Sequence, residues 1–312
     1  MKTLVNLILQ LSWPFSFGRS VKYFLKHRTQ LQLKQTGWTL HLFESSTNVL
    51  QQKWKKLNTY GWFSIKNGHA FIDGMADPFL FIKQDELFLF FETEITHKKG
   101  EIWAAKIEGN QLKNPQKVID ESFHMSFPLV FEEKKIIYML PESSEDQTVR
   151  LYQTTKFPFE WKLEKILYSG KPLADINFVV QDRTYYWFCY DFSVNKTRLF
   201  YSSALQEDWI EHPQSPFESN RNAGNIFKQN DQLFRPIQIE KENYGEGVEL
   251  RCIQTLTKNH FEETTVVNPF LIKDKKYSLD GVHHFSFVEK DKSLSYIITD
   301  GLNNNIYKSF SV

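Results

Sequence analysis

One pattern recurs five times along this chain and restricts its fold more than anything else in it. The stretches are "MADPFLFIKQDELFLFFETE" (75–94), "HMSFPLVFEEKKIIYMLPES" (124–143), "LADINFVVQDRTYYWFCYDF" (173–192), "RNAGNIFKQNDQLFRPIQIE" (221–240) and "GVHHFSFVEKDKSLSYIITD" (281–300). Each opens on small or polar residues, runs through apolar ones, breaks at a charged or Asn/Asp turn and resumes as a second apolar run. Two strands joined by a tight turn read this way. The openings fall at 75, 124, 173, 221 and 281, giving spacings of 49, 49, 48 and 60. A third strand-like run follows most of the pairs: "GEIWAAKI", "VRLYQTTKFPFEW", "TRLFYSSALQEDW", "VELRCIQTLTKNHFEE" and "NNIYKSFSV". Repeats of about fifty residues with about four strands each predict an all-β fold, a five-bladed β-propeller.

The fifth unit leaves little room for an outer strand before residue 312. "GWTLHLFES" (37–45) reads as a strand lying ahead of the first unit. It is expected to complete the last blade and close the ring, which removes free sheet edges. The expected division is a helical, basic segment at 1–36 and a propeller at 37–312, with blades near 70–118, 119–170, 171–218, 219–275 and 276–312 plus strand 37–45. The N-terminal "MKTLVNLILQLSWPF" is too short to span a bilayer. Arg19, Lys22, Lys26, Arg28 and Lys34 follow it. A helix with a solvated basic face is the plain reading, and peripheral membrane contact through residues 1–34 is the alternative. A signal peptide is the weakest reading, because no small-x-small cleavage site follows. The expected location is cytoplasmic, with the inner membrane face as the peripheral option.

Lys and Arg number 38 against 37 Asp and Glu, so there is no basic footprint of the kind nucleic acid requires. Aromatic residues make up 16% of the chain, a load that favours strands and suits a ligand with apolar faces, such as a sugar. The two cysteines, Cys189 and Cys252, sit inside strand-like runs and read as buried thiols in a reducing compartment.

In a propeller the first strand of each blade lines the channel, and the second returns to the same face. Openings and returns therefore share one mouth. The openings contribute Asp77, His124 with Ser126, Asp175, Arg221 with Asn222, and Asp280 with His283 and His284. The returns contribute Glu92, Glu142, Asp191, Gln238 and Asp300. Arg235, inside "LFRPIQ", is expected either to be paired within the ring or to await an anionic ligand. Tyr244, in "YGEGVEL", is a further candidate for ligand contact.

"ADPFLFIKQDELFLFFE", "SFPLVFEEKKIIYMLPE", "FPFEW", "RNAGNIFKQNDQLFRPIQ" with "YGEGVEL", and "GVHHFSF" together resemble one family. It is the five-bladed propeller domain at the N-terminal side of plant glucosamine inositolphosphorylceramide transferases, with bacterial stand-alone relatives in polysaccharide-related settings. The resemblance covers about residues 60–312 and implies glycan or glycolipid metabolism and a bacterial chain of the stand-alone kind. More distantly, the Asp-Pro opening resembles family 43 glycoside hydrolases, which need a carboxylate base and a carboxylic acid donor. That likeness implies Asp77 as base and Glu142 or Asp175 as the acid. The second opening departs from it, reading Ser126-Phe127-Pro128 where an Asp would be expected, and no clear donor Glu is present.

Two functions stand open at this point. The first is a carbohydrate-active enzyme, glycosidase- or glycosyltransferase-like, with Asp77, Glu142 and Asp175 as catalytic groups. The second is a non-catalytic glycan-binding or scaffold propeller working with a separate glycosyltransferase. In both, Glu92, His124, Asp191, Arg221, Arg235, Gln238, Tyr244, His283 and His284 contact a glycan, glycolipid or nucleotide-sugar. No cofactor is expected. Calcium needs six to eight oxygen ligands, which no contiguous acidic loop here supplies. A channel ion held through water by His283 or His284 stays open. There is no P-loop, His-Glu-x-x-His or Gly-x-Ser-x-Gly.

Overall fold

The computed structural model describes residues 30–61, 72–95, 99–240, 244–272 and 281–311. Most of the N-terminal segment expected to be helical lies outside these residues, as does Asp280. Where that segment is described, it is strand: β1 begins at Gln30, ahead of the boundary expected at residue 37. Residues Trp38–Leu302 form one compact unit. A second unit groups residues 1–37 with 303–312, and its described backbone, 30–37 and 303–311, is extended.

Five four-stranded antiparallel sheets make up the fold, a five-bladed β-propeller. The first blade is β3 (Ile72–Lys83), β4 (Glu86–Ile95), β5 (Gly100–Glu108) and β6 (Gln111–Ile119). The second is β7 (Ser126–Glu133), β8 (Ile136–Glu142), β9 (Thr148–Lys156) and β10 (Glu160–Ser169). The third is β11 (Leu173–Gln181), β12 (Thr184–Asp191), β13 (Lys196–Ser202) and β14 (Ile210–Glu211). The fourth is β15 (Phe227–Gln229), β16 (Gln232–Ile239), β17 (Gly247–Leu256) and β18 (Phe261–Ile272). The fifth runs β19 (Phe285–Asp291), β20 (Leu294–Ser311), β1 (Gln30–Ser45), β2 (Lys55–Tyr60). Both ends of the chain thus share one sheet. Ring closure involves two N-terminal strands rather than the one expected, and "NNIYKSFSV" belongs to the second strand of its blade rather than a third. The polar "KKLNTY" of β2 concealed it, because an outer strand meets solvent and carries no apolar alternation.

The aromatic load follows from burial on both faces of each blade. Along β4, Leu87, Leu89 and Phe91 pack toward the fifth blade with Leu40, Leu42 and Tyr60. The alternate residues Phe88 and Phe90 pack toward the second blade with Val130, Ile137 and Met139. Successive side chains of a strand point to opposite faces, so a strand covered on both sides reads as an unbroken apolar run. The remaining gaps are filled in the same way, by a Trp187-centred cluster, a Phe188-centred cluster and a cluster around Trp54 and Phe285.

The charged breaks seen in the sequence are two-residue hairpin turns. Gln84-Asp85, Lys134-Lys135, Asp182-Arg183 and Asn230-Asp231 all have both residues at positive φ, between 48° and 67°. That is the type I′ geometry, whose twist matches the flanking strands. The inner strands share a second device. Asp77, Phe127 and Asp175 have φ of 48°, 46° and 49°, and the strand register shifts around each of them. Each is a bulge residue in the left-handed region, a conformation Asp tolerates better than Phe. Asp77 and Asp175 are therefore equivalent positions of two blades, and Phe127 takes that place in the second.

Candidate functional site at the propeller mouth

The bulges aim two carboxylates inward, and each meets a cation or an imidazole. Asp77 Oδ1 lies 3.2 Å from His283 Nε2 and 3.4 Å from His284 Nδ1. His283 Nδ1 lies 3.0 Å from Asp300 Oδ2. Asp300 Oδ1 accepts the backbone N–H of His283 at 3.0 Å and of His284 at 2.9 Å. All four residues are buried. Burial pushes the Asp77 carboxyl up, but the imidazoles of His283 and His284 more than offset it and hold Asp77 well below the usual carboxylate range. Burial raises Asp300, against the pull of the same two imidazoles. Burial lowers His283, yet Asp300 and Asp77 carry it above its ordinary value.

The second cluster is built on Asp175. Arg221 donates to it twice, from Nε at 2.6 Å and Nη2 at 3.1 Å. The same Nη2 lies 3.7 Å from Glu142 Oε2. Glu142 accepts from Ser126 Oγ at 3.2 Å and Ser144 Oγ at 2.6 Å. Asn222 Nδ2 donates to the Asp175 carbonyl at 2.7 Å, and Gln238 Nε2 reaches Asp175 Oδ2 at 3.5 Å. Burial is the main influence on Asp175. With the charges of Glu142 and Asp77 it outweighs Arg221 and pushes the carboxyl up to about 7. The two clusters therefore feel one another's charge.

Over these buried groups lies an aromatic rim. The Arg221 guanidinium is 5.5 Å from the Phe192 ring and 5.8 Å from the Tyr244 ring. Phe192 is 41% exposed and Tyr244 50%. Tyr244 meets Trp38 at 5.8 Å and His283 at 4.9 Å, and Trp38 stands edge-on to His283 at 4.3 Å. Trp38 and Phe192 were not among the expected site residues. Trp38 lies in the middle of β1, the strand that closes the ring, and Phe192 immediately follows β12.

Of the expected residues, Asp77, Glu142, Asp175, Arg221, Gln238, Tyr244, His283 and His284 fall into these two clusters and their rim. His124 and Glu92 form a separate pair between the first two blades, with His124 Nε2 3.5 Å from Glu92 Oε1 and His124 Nδ1 accepting the Gly100 amide at 2.9 Å. Two expected ligand contacts are committed elsewhere. Asp191 is fully buried and accepts from Arg198 Nε at 2.5 Å and from Ser193. Arg235, also fully buried, pairs with Glu263 on β18, donates to Asn222 Oδ1 and Ser219, and lies 5.2 Å over Phe188. Of the two fates foreseen for Arg235, the structure shows pairing within the ring, because a buried guanidinium requires a carboxylate partner.

A family model described as glucosamine inositolphosphorylceramide transferase 1, N-terminal, matches residues 64–301. The chain belongs to this family. The chain is 37% identical over 207 residues to glucosamine inositolphosphorylceramide transferase 1 of Oryza sativa subsp. japonica, covering 62% of this chain and 28% of the relative. To the Arabidopsis thaliana protein of the same name it is 35% identical over 248 residues, covering 73% and 32%. The chain thus spans about a third or less of the curated relatives it matches. These relatives are plant proteins, which overturns the expectation of a bacterial chain. Among solved structures, an α-L-arabinofuranosidase from Podospora anserina in complex with cellotriose aligns with a TM-score of 0.57 at 10% identity, covering 76% of this chain and 94% of that one. A thermostable family-43 glycoside hydrolase aligns at 0.54 and 10%, covering 77% and 90%. At that identity the likeness is one of fold, and membership of glycoside hydrolase family 43 does not follow from it.

Proposed function

We propose that the propeller binds an anionic sugar conjugate at its mouth and holds it without cutting it. The observation that carries this is the contrast between rim and floor. Asp77, Glu142 and Asp175 are at most 4% exposed, and each is already engaged by imidazole, hydroxyl or guanidinium. The groups that reach solvent are aromatic rings flanking a guanidinium. Rings stack on the apolar faces of sugars, and a guanidinium recognises a phosphate or uronate carboxylate. The family's name, a transferase for glucosamine and inositolphosphorylceramide, supports a ligand that combines sugar and phosphate. In this reading the propeller presents the conjugate to a glycosyltransferase that acts on it.

A second reading is glycosidic cleavage with Asp77 as base and Asp175 as acid. It is favoured by the Asp175 carboxyl at about 7, in the range that suits a general acid. A screen of uronate-bearing glycans, sugar phosphates and nucleotide-sugars by calorimetry, with product analysis, tests both. Binding without turnover that Arg221→Ala removes and Asp77→Asn spares is the expected result. Turnover lost in Asp77→Asn with affinity kept would replace the first reading by the second.

A further inference from the structure

We infer that the end of the channel opposite the mouth is a binding site for a single unbranched alkyl chain. The innermost segment of each blade runs from the mouth, past this region, to a hairpin turn. In the first blade the order is Asp77, then Phe79 to Phe81, then the turn at Gln84-Asp85. In the fifth it is His283 and His284, then Ser286 to Val288, then the turn between β19 and β20. Residues at that middle level in all five blades enclose one cavity of about 210 Å3. Its walls are largely aromatic, with Phe79, Phe81, Phe131, Phe178 and Phe287 among them.

The inner end of the cavity is closed. The Phe79 and Phe127 rings meet edge-on at 4.9 Å, and both stand against the His284 ring, at 4.7 and 5.2 Å. All three are buried, and together they form a septum between the cavity and the charged floor of the mouth. An occupant therefore enters from the side of the turns and meets the septum with a chain end. Room is left because three blades line the space with small residues, Asn177, Asn225 and Ser286.

Water gains little in this space. Asn177 spends its amide on the backbone, accepting the Ile226 N–H at 3.0 Å and donating to the Gly224 carbonyl. Asn225 and Ser286 are the polar side chains that remain in the lining, whereas a buried water needs two to four partners. Among the described residues no charged side chain lines the cavity, so the part of a ligand that enters it is apolar. An apolar cavity of about 150 Å3 stays dry and takes up benzene, so this larger one has room for roughly eight carbons. A flexible chain end suits a tube between five strands with one end blocked. The turns around the open end carry both signs, with Asp85, Lys134, Lys135, Asp182, Arg183 and Asp231 among them. The site thus reads the tail of an amphiphile and not the charge of its head.

The test titrates the full chain calorimetrically with sodium alkanoates of four, six, eight, ten and twelve carbons. No sugar is present, so the outcome is separate from that of ligand binding at the rim. One alkanoate per chain is expected, with affinity rising about fourfold per added methylene and levelling near eight carbons. Octyl phosphocholine should bind within tenfold of octanoate. Ser286→Leu, which fills the cavity, should weaken octanoate at least thirtyfold. Affinity that climbs steadily to twelve carbons, a head-group preference above tenfold, absence of saturable binding, or a folded Ser286→Leu variant that binds like the parent would overturn the site. If that variant fails to fold, 13C-labelled phenylalanine in the parent decides. Octanoate shifting a few of the 28 Phe rings supports the site, and shifts in none or throughout refute it.

Discussion

Arg221 grips Asp175 through two parallel hydrogen bonds, Nε to Oδ2 at 2.6 Å and Nη2 to Oδ1 at 3.1 Å. Removing one partner of a buried pair leaves the other charge stranded, at a cost of about 3–5 kcal/mol. Arg221→Ala should therefore lower the urea midpoint substantially at pH 8 and abolish ligand binding. Arg221→Ala combined with Asp175→Asn should recover most of the stability and none of the binding. Recovery of binding in the double variant would show that Arg221 does not touch the ligand.

The same pair makes recognition depend on pH. Below about 7 the Asp175 carboxyl carries a proton and the Arg221 charge is free to meet an anion. Above it, the carboxylate neutralises that charge. Affinity for a uronate conjugate, whose own charge is constant in this range, should fall by up to roughly tenfold between pH 6 and pH 8. Asp175→Asn should flatten the profile, and calorimetry at the two pH values decides.

His41 gives a stability prediction of definite sign. Burial, with Lys56 nearby, depresses its imidazole to about 3, while the unfolded chain titrates near 6.5. Between those values the unfolded state takes up a proton that the folded state refuses. Stability from this group is thus present above about pH 6.5 and falls as the pH drops, by up to about 1.4 kcal/mol per pH unit. His41→Gln, which keeps a polar group near Thr39, should remove that part of the slope. Denaturant titrations from pH 7 to pH 4 compare the two slopes, and equal slopes would refute the assignment.

Two phenylalanines should behave oppositely. Phe90, fully buried between the first and second blades, should cost about 3–5 kcal/mol on truncation to Ala. Phe192, exposed beside Arg221, should change stability by less than about 0.5 kcal/mol and weaken ligand binding. Thermal melts and calorimetry on the two variants check both halves.

The fold was legible because each blade repeats the same local grammar. Apolar runs buried on both faces mark the inner hairpins, and four of the five turn on a polar type I′ pair such as Lys134-Lys135. The outer strands were not legible. β2 and β6 face solvent on much of their length, and their sequences are correspondingly polar. At the mouth, the gathering of Asp77 with His283, and of Asp175 with Arg221, could be read from repeat position alone. Which carboxylate would find which cation could not. Asp191 and Arg235 occupy positions comparable to their neighbours, yet Arg198 and Glu263, on other strands, had already claimed them. Pairing between side chains of different strands is a property of three-dimensional approach, and one-dimensional periodicity carries no record of it.

The sheet made from both ends of the chain also sets an order on assembly. β1 and β2 leave the ribosome ahead of the other four blades, but their neighbour β20 is made only after those blades have been synthesised. Until then the earliest strands wait with an open edge, and contacts so distant in sequence are slow to form. The joint that seals the circle is thus one a nascent chain can complete only after every other blade has emerged.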